Sequence, residues 1–264
     1  MKLCADSHTH ILSERLFDQA ECIVKKLKND GIEFIVEIGC DPIDARRAVD
    51  FAKTHDNVYC AVGVHPHYAG EYSDEFENWV RSLATTKQAR QIVALGECGL
   101  DYHHNLSPRD IQRNVFIKQI KLAHELSLPL IVHSRDAFDD TYKLLTEHKD
   151  LLTNGVVMHC YSYGAVEVKH LSELNCYFSF SGAITYAKSY ASIEDAVAAV
   201  KAVPPSRLMV ETDCPYLAPV PVRGCVNQPK NVRYVIECVA RMLGKSADEI
   251  AELTLQNTKR VFRI

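Results

Sequence analysis

Eight short apolar runs, each followed by a longer amphipathic stretch, recur along the whole chain. They are Leu3–Asp6, Phe34–Ile38, Val58–Val62, Ile92–Leu95, Leu130–Val132, Val156–Met158, Tyr177–Phe180 and Arg207–Val210. Phe34-Ile35-Val36 and Ile131-Val132 carry no polar face, which suits parallel strands covered on both sides. The stretch 108–126 reads as a helix. Ser107 is its N-cap, Pro108 opens its first turn, and Val115, Phe116, Ile120, Ala123 and Leu126 form its apolar stripe. Another helix starts at Pro229, carries Val232, Val235, Ile236, Val239 and Leu243, and stops at Gly244. Ser246 and Glu249 form a capping box for a last helix. Strand–helix alternation builds a parallel sheet. Eight repeats in 264 residues suit an α/β fold, a (β/α)8 TIM-type barrel with a C-terminal helical extension, in a single domain over 1–264. A doubly wound open sheet is the alternative.

Polar residues at the ends of the runs favour the barrel. His8, His10, Glu97, His133, His159 and Asp213 follow the first, fourth, fifth, sixth and eighth runs. A barrel gathers its strand ends on one rim, whereas an open sheet would spread these groups apart. Residues two apart on a strand point the same way, so His8 and His10 can reach one ion. By the same parity Val93, Leu95 and Glu97 share a face, as do Ile131 and His133, and Val157 and His159. Cys98, Cys160 and Cys214 then face the helices and read as packing. Neutral imidazole and carboxylate are ligands for zinc and manganese, and open coordination positions would make such a site catalytic. Each residue also has a plain structural reading. An HxH pair can be two surface histidines, Glu97 a capping or salt-bridged glutamate, and Glu211 a support for Asp213 or a charge paired elsewhere.

The bulk properties narrow the function. The net charge is -4, and no segment is basic enough to coat DNA without sequence preference. Metal ions could still supply positive charge locally. The ten cysteines contain no CxxC pair, the closest two being Cys214 and Cys225. No signal peptide or membrane-length apolar run is visible, so the chain reads as a soluble cytoplasmic protein, with a monomer plausible.

Seven segments together resemble the TatD-like family of metal-dependent hydrolases, within the amidohydrolase superfamily. They are Asp6-Ser7-His8-Thr9-His10, Gly63-Val64-His65-Pro66-His67, Gly96-Glu97-Cys98-Gly99-Leu100-Asp101-Tyr102, His133-Ser134-Arg135-Asp136-Ala137, His159-Cys160, Glu211-Thr212-Asp213-Cys214-Pro215-Tyr216-Leu217 and Asn257-Thr258. The resemblance implies a barrel, one or two divalent ions (Zn, Mn or Mg) and deoxyribonuclease-type hydrolysis of DNA or another phosphodiester. It places one ion among His8, His10, Glu97 and Asp213. It places a second among Glu97, His133 and His159, with Glu97 bridging. In that reading Asp213 also orients the attacking water and takes its proton, and His65 contacts the phosphate or the leaving oxygen. The other reading of His65 is structural. Arg135 or Arg223 is a candidate phosphate clamp, and His67, Asp101 and His103 are candidate supports.

Two departures from the family pattern stand out. Tyr161-Ser162-Tyr163-Gly164 is one residue longer than the family's loop. Cys225 and Val226 replace a basic pair, and Gln228 an acidic residue. The loss of basic groups keeps a second substrate class open: a small amide, ester or lactone at the same centre. A non-enzymatic metal-binding protein is a third reading, disfavoured by so full a ligand set.

Overall fold

The computed structural model describes residues 2–83, 90–186 and 190–264. The strands are β1 (Cys4–Thr9), β2 (Ile32–Gly39), β3 (Val58–Val62), β4 (Ile92–Asp101), β5 (Leu130–Arg135), β6 (Val156–Met158), β7 (Cys176–Phe180) and β8 (Leu208–Val210). They form one sheet in chain order, β1 through β8. The helices are α1 (Ala20–Lys26), α2 (Pro42–Ala52), α3 (Asp74–Leu83), α4 (Arg109–Glu125), α5 (Phe138–Glu147), α6 (Ala165–Ser172), α7 (Ile193–Ala202), α8 (Val232–Leu243) and α9 (Ala247–Phe262). The fold is a (β/α)8 barrel, and α9 supplies the C-terminal extension.

The chain divides into two compact units. One holds the residues up to Glu37, Cys160–Arg260 and Ile264; the other holds Ile38–His159 and Val261–Arg263. Within the first unit, β1 pairs in parallel with β2, β7 with β8, and Thr9 bridges to Cys214. Its core includes the fully buried Ile11, Leu16, Leu27, Phe178 and Phe180. Within the second, β3, β4, β5 and β6 pair successively in parallel. Its core includes Phe76, Leu95, Leu100 and Phe116. Among the described residues no helix is long and apolar enough to cross a membrane.

Most local signals act as expected. Ser246 and Glu249 exchange hydrogen bonds as a capping box: the Glu249 N–H donates to Ser246 Oγ at 3.2 Å, and the Ser246 N–H to Glu249 Oε2 at 2.9 Å. Gly244 ends α8 with φ +65°. Two expectations fail. Ser107 does not cap α4; its hydroxyl donates instead to the His67 carbonyl at 2.8 Å, tying two loops together. The fourth strand runs on past Leu95 to Asp101, so Glu97 lies within it and not at its end. The register shifts between Leu95 and Cys98, which breaks the simple alternation of faces used for Glu97. Gly96 and Gly99 make this passage possible. Both have positive φ, +141° and +128°, and a side chain at Gly99 would collide with the carbonyl oxygen of His133.

Candidate metal centre

In the first unit, hydrogen bonds bring His8 on β1 and His10 just past its end against the segment after β8. The Asp213 N–H donates to the His8 carbonyl at 3.0 Å, and the His10 N–H to the Cys214 carbonyl at 2.7 Å. Ser7 donates from its hydroxyl to the Val210 carbonyl at 3.0 Å. Asp6 accepts the Thr212 N–H at 2.8 Å and pairs with the Thr212 hydroxyl. This lacing holds three donor groups together. His8 Nε2 and His10 Nε2 face each other at 3.2 Å, with Asp213 Oδ1 3.4 Å from His10 and 3.8 Å from His8. Ligand atoms about 2.1 Å from a tetrahedral ion stand about 3.4 Å apart. The trio therefore fits a divalent cation: two soft nitrogens and one carboxylate oxygen, all largely shielded from water. Asp213 itself sits at φ +56°, a conformation that costs a non-glycine residue energy and that the surrounding hydrogen bonds maintain.

Glu37 supports the same segment from below. Its carboxylate accepts the N–H groups of Ile11 at 3.0 Å and Leu12 at 2.9 Å and pairs with the Thr9 hydroxyl at 2.8 Å. It therefore fixes the chain on both sides of His10. Burial pushes the Glu37 carboxyl up to about 7, against the effect of His10 and these hydrogen bonds. Neither Asp6 nor Glu37 carries a signal that periodicity or ligand spacing would pick out. Their common mark is a carboxylate inside an apolar strand run.

In the second unit, Glu97 gathers three histidines. His133 Nδ1 is 2.8 Å from Glu97 Oε1, and His65 Nε2 and His159 Nε2 are each 3.4 Å from it. Burial alone would raise the Glu97 carboxyl; His159, His65 and His133 outweigh it and hold the group well below its ordinary value. His65 lies in this cluster, a placement that the sequence did not specify. Its Nδ1 accepts the His67 N–H at 3.1 Å, so its proton resides on Nε2, directed at Glu97. Burial pushes His65 down to about 4 despite Glu97, which leaves it a neutral hydrogen-bond donor. His133 turns its other nitrogen, Nε2, to Asp101 Oδ2 at 3.1 Å. A histidine so held presents Nδ1 to an ion. The carboxylate oxygen and the nitrogens around it are again a donor set that suits a divalent cation.

The weaker candidates separate. His67 and Asp101 come together at 2.9 Å, whereas His103 leans outward to Asp136. Arg135 lies exposed at the end of β5. Arg223 is exposed too, its guanidinium 3.9 Å from the centre of the Tyr186 ring. Glu211 accepts the Cys160 N–H at 2.8 Å, bracing the turn in which Cys160 takes φ +45°. Cys98 and Cys214 are fully buried, and burial pushes both thiols upward, away from the reactive thiolate. Cys160 is half-buried, its sulfur 3.0 Å from Ser181 Oγ. Cys40, which the sequence did not single out, places its sulfur 4.0 Å from Glu97 Oε2.

The sequence profile of TatD-related DNases matches residues 5–263. The chain belongs to the TatD family. A protein from Bacillus subtilis, described as an uncharacterized metal-dependent hydrolase, YabD, is 38% identical over 98% of each chain. A relative from Erwinia amylovora, named 3'-5' ssDNA/RNA exonuclease TatD, is 30% identical over 97% of this chain and 98% of its own. Among solved structures, the TatD homolog YjjV from Escherichia coli superposes with a TM-score of 0.89 at 26% identity, covering 99% of this chain and 98% of that one. This TatD-family chain is accordingly a metal-dependent hydrolase, and its histidine–carboxylate clusters are able to bind metal.

Proposed function

We propose that the chain is an exonuclease-type deoxyribonuclease, one catalytic domain that uses two divalent ions to hydrolyse phosphodiester bonds. The observation that carries this reading is the pair of donor clusters: His8, His10 and Asp213, spaced as ligands of one ion are, and Glu97 with His133 at 2.8 Å and His159 at 3.4 Å. The soft nitrogens favour zinc or manganese, while magnesium would lean on the carboxylates and on water. Bound divalent ions supply Lewis acidity and bring a water's pKa near 7.

The chain's own residues then have separate tasks. Asp213 orients the attacking water and takes up its proton. His65, neutral near pH 7 and protonated on Nε2, turns that N–H from Glu97 to a phosphate oxygen or the leaving oxygen when substrate is bound. Asp101 accepts a hydrogen bond from His133 Nε2–H, which keeps that proton on Nε2 and leaves the Nδ1 lone pair pointing inward. Arg223, stacked on Tyr186, offers a phosphate contact beside an aromatic face on which a base can lie.

The test is cleavage of a 3'-labelled and a 5'-labelled DNA strand, with Mg2+, Mn2+ or Zn2+ restored after chelation. Stepwise loss of nucleotides that needs metal, and that falls at least about a thousandfold in Glu97→Ala and Asp213→Ala, is expected. Full activity in either variant removes the mechanism. A second reading, hydrolysis of a small amide, ester or lactone, is favoured by exposed Cys225 and Val226, which stand in place of the basic pair expected from the family resemblance. A phosphodiester panel run beside an ester and lactone panel under matched metal separates the two.

A further inference from the structure

Asp101, at the end of β4, is fully buried, and nitrogen donors converge on its carboxylate. Oδ1 accepts the N–H of His103 at 2.9 Å and of His104 at 2.8 Å. Oδ2 is approached by His67 Nε2 at 2.9 Å, His133 Nε2 at 3.1 Å and His104 Nδ1 at 3.1 Å. Five nitrogens therefore compete for about four lone-pair positions, three of them at a single oxygen. The two backbone donors and His133 account for three positions. His67 and His104 are left to share the remainder, their rings 5.1 Å apart and nearly perpendicular. A cation removes that crowding, because each ring nitrogen then contributes a lone pair in place of a proton.

We propose that His67 Nε2, His104 Nδ1 and Asp101 Oδ2 form a further divalent-cation site, separate from the two donor clusters assigned above. These atoms lie within 4.8 Å of one another. Two imidazoles and one carboxylate select a borderline ion such as zinc, cobalt or manganese over calcium. His133 is not a ligand of this site, since its Nε2 keeps its proton and donates it in a hydrogen bond to Asp101. The His104 side chain is 44% exposed and that of His67 22%, so the outer face opens to solvent. Three protein ligands with an open face leave room for water or an anionic oxygen such as phosphate. An ion bound there adds a positive charge beside Asp101, the carboxylate that also meets His133.

Metal content tests it. Full-length protein, stripped with chelator and dialysed against Co2+ or Zn2+, is compared with His67→Gln/His104→Ala and with Glu97→Ala. The double variant is expected to hold about one equivalent less than wild type and to lose one component of the Co2+ absorption spectrum. Glu97→Ala is expected to keep that component. His104→Ala alone, a change at an exposed position that leaves the fold intact, weakens this equivalent about tenfold or more. Equal metal content and an unchanged Co2+ spectrum in the double variant overturn the proposal. Failure of the main centre shows differently: Glu97→Ala would then match wild type.

Discussion

Asp6 holds Thr212 through two hydrogen bonds, one to the backbone N–H at 2.8 Å and one to the hydroxyl. Thr212 immediately precedes Asp213, whose N–H donates to the His8 carbonyl, so this contact sets two of the proposed ligands side by side. Burial pushes the Asp6 carboxyl well above its ordinary value; the Thr212 hydrogen bonds pull the other way, and nearby Glu211 adds to the rise. Asp6→Ala leaves a buried N–H and a buried hydroxyl without their partner, and is expected to cost about 2–4 kcal/mol. Asp6→Asn keeps an acceptor for the N–H and should cost less than half as much. Urea unfolding of the metal-free protein reads both. An alanine variant as stable as wild type would show that Asp6 does not brace the site.

Glu37 and His65 make opposed contributions to stability across nearly the same pH range. Glu37 is raised from 4.5 to about 7, and burial is the main cause. Its contribution is complete below about pH 4.5 and is lost as pH rises through about 7. His65 is lowered from 6.5 to about 4, again mainly by burial. Its contribution is complete above about pH 6.5 and is lost as pH falls through about 4. Either displacement corresponds to something on the order of 3 kcal/mol, so the two largely cancel in wild type. In chelated protein, Glu37→Gln should therefore become more stable from pH 4.5 to 6.5, and His65→Gln less stable. Denaturant midpoints at four pH values measure both slopes. Parallel profiles for the two variants would contradict the assignment.

Gly99 stands against the His133 carbonyl oxygen at φ +128°. Gly99→Ala adds both a strained conformation and a collision with backbone, for a loss of roughly 3 kcal/mol or more. The displaced atom belongs to a proposed ligand residue, so metal retention should fall along with the melting temperature. A variant that melts early yet binds metal normally would place the damage elsewhere in β4.

Cys225 and Val226 are exposed on the loop after β8, at the positions where the sequence departs from the basic pair that the family resemblance leads one to expect. Restoring charge with Cys225→Lys and Val226→Lys should tighten binding to single-stranded DNA. The slope of log affinity against log salt should steepen by about 0.7 for each phosphate newly contacted. Catalysis on an ester substrate should not change. An unaltered salt slope would mean that this loop does not approach the nucleic-acid backbone.

Much of the fold was legible because it is written locally. Alternation of apolar runs with amphipathic stretches specifies strands and helices, and eight such repeats leave few ways to close a parallel sheet. The end signals at Gly244, Ser246 and Glu249 work through neighbours a few residues away, and they hold. The histidines and carboxylates that follow the apolar runs were visible as residue types, each with a structural reading beside its reading as a metal ligand. Ser107 shows where local reading stops. Its hydroxyl had a nearby capping role open to it and bonds the His67 carbonyl instead.

The sequence by itself determined which residue types would be available at the strand ends: the imidazoles, the carboxylates and the glycines beside them. Tertiary structure alone decided their partners. Register shifts and positive-φ glycines carry β4 past Glu97 to Asp101, so that one strand supplies both the carboxylate that gathers His65, His133 and His159 and the one that gathers His67, His104 and His133. Asp6 and Glu37 likewise gain their roles from chain segments far along the sequence or on a neighbouring strand. Those roles depend on hydrogen bonds a few ångströms long between residues tens to hundreds of positions apart. A local pattern has no term for such distances, whereas a folded chain must satisfy every buried polar group.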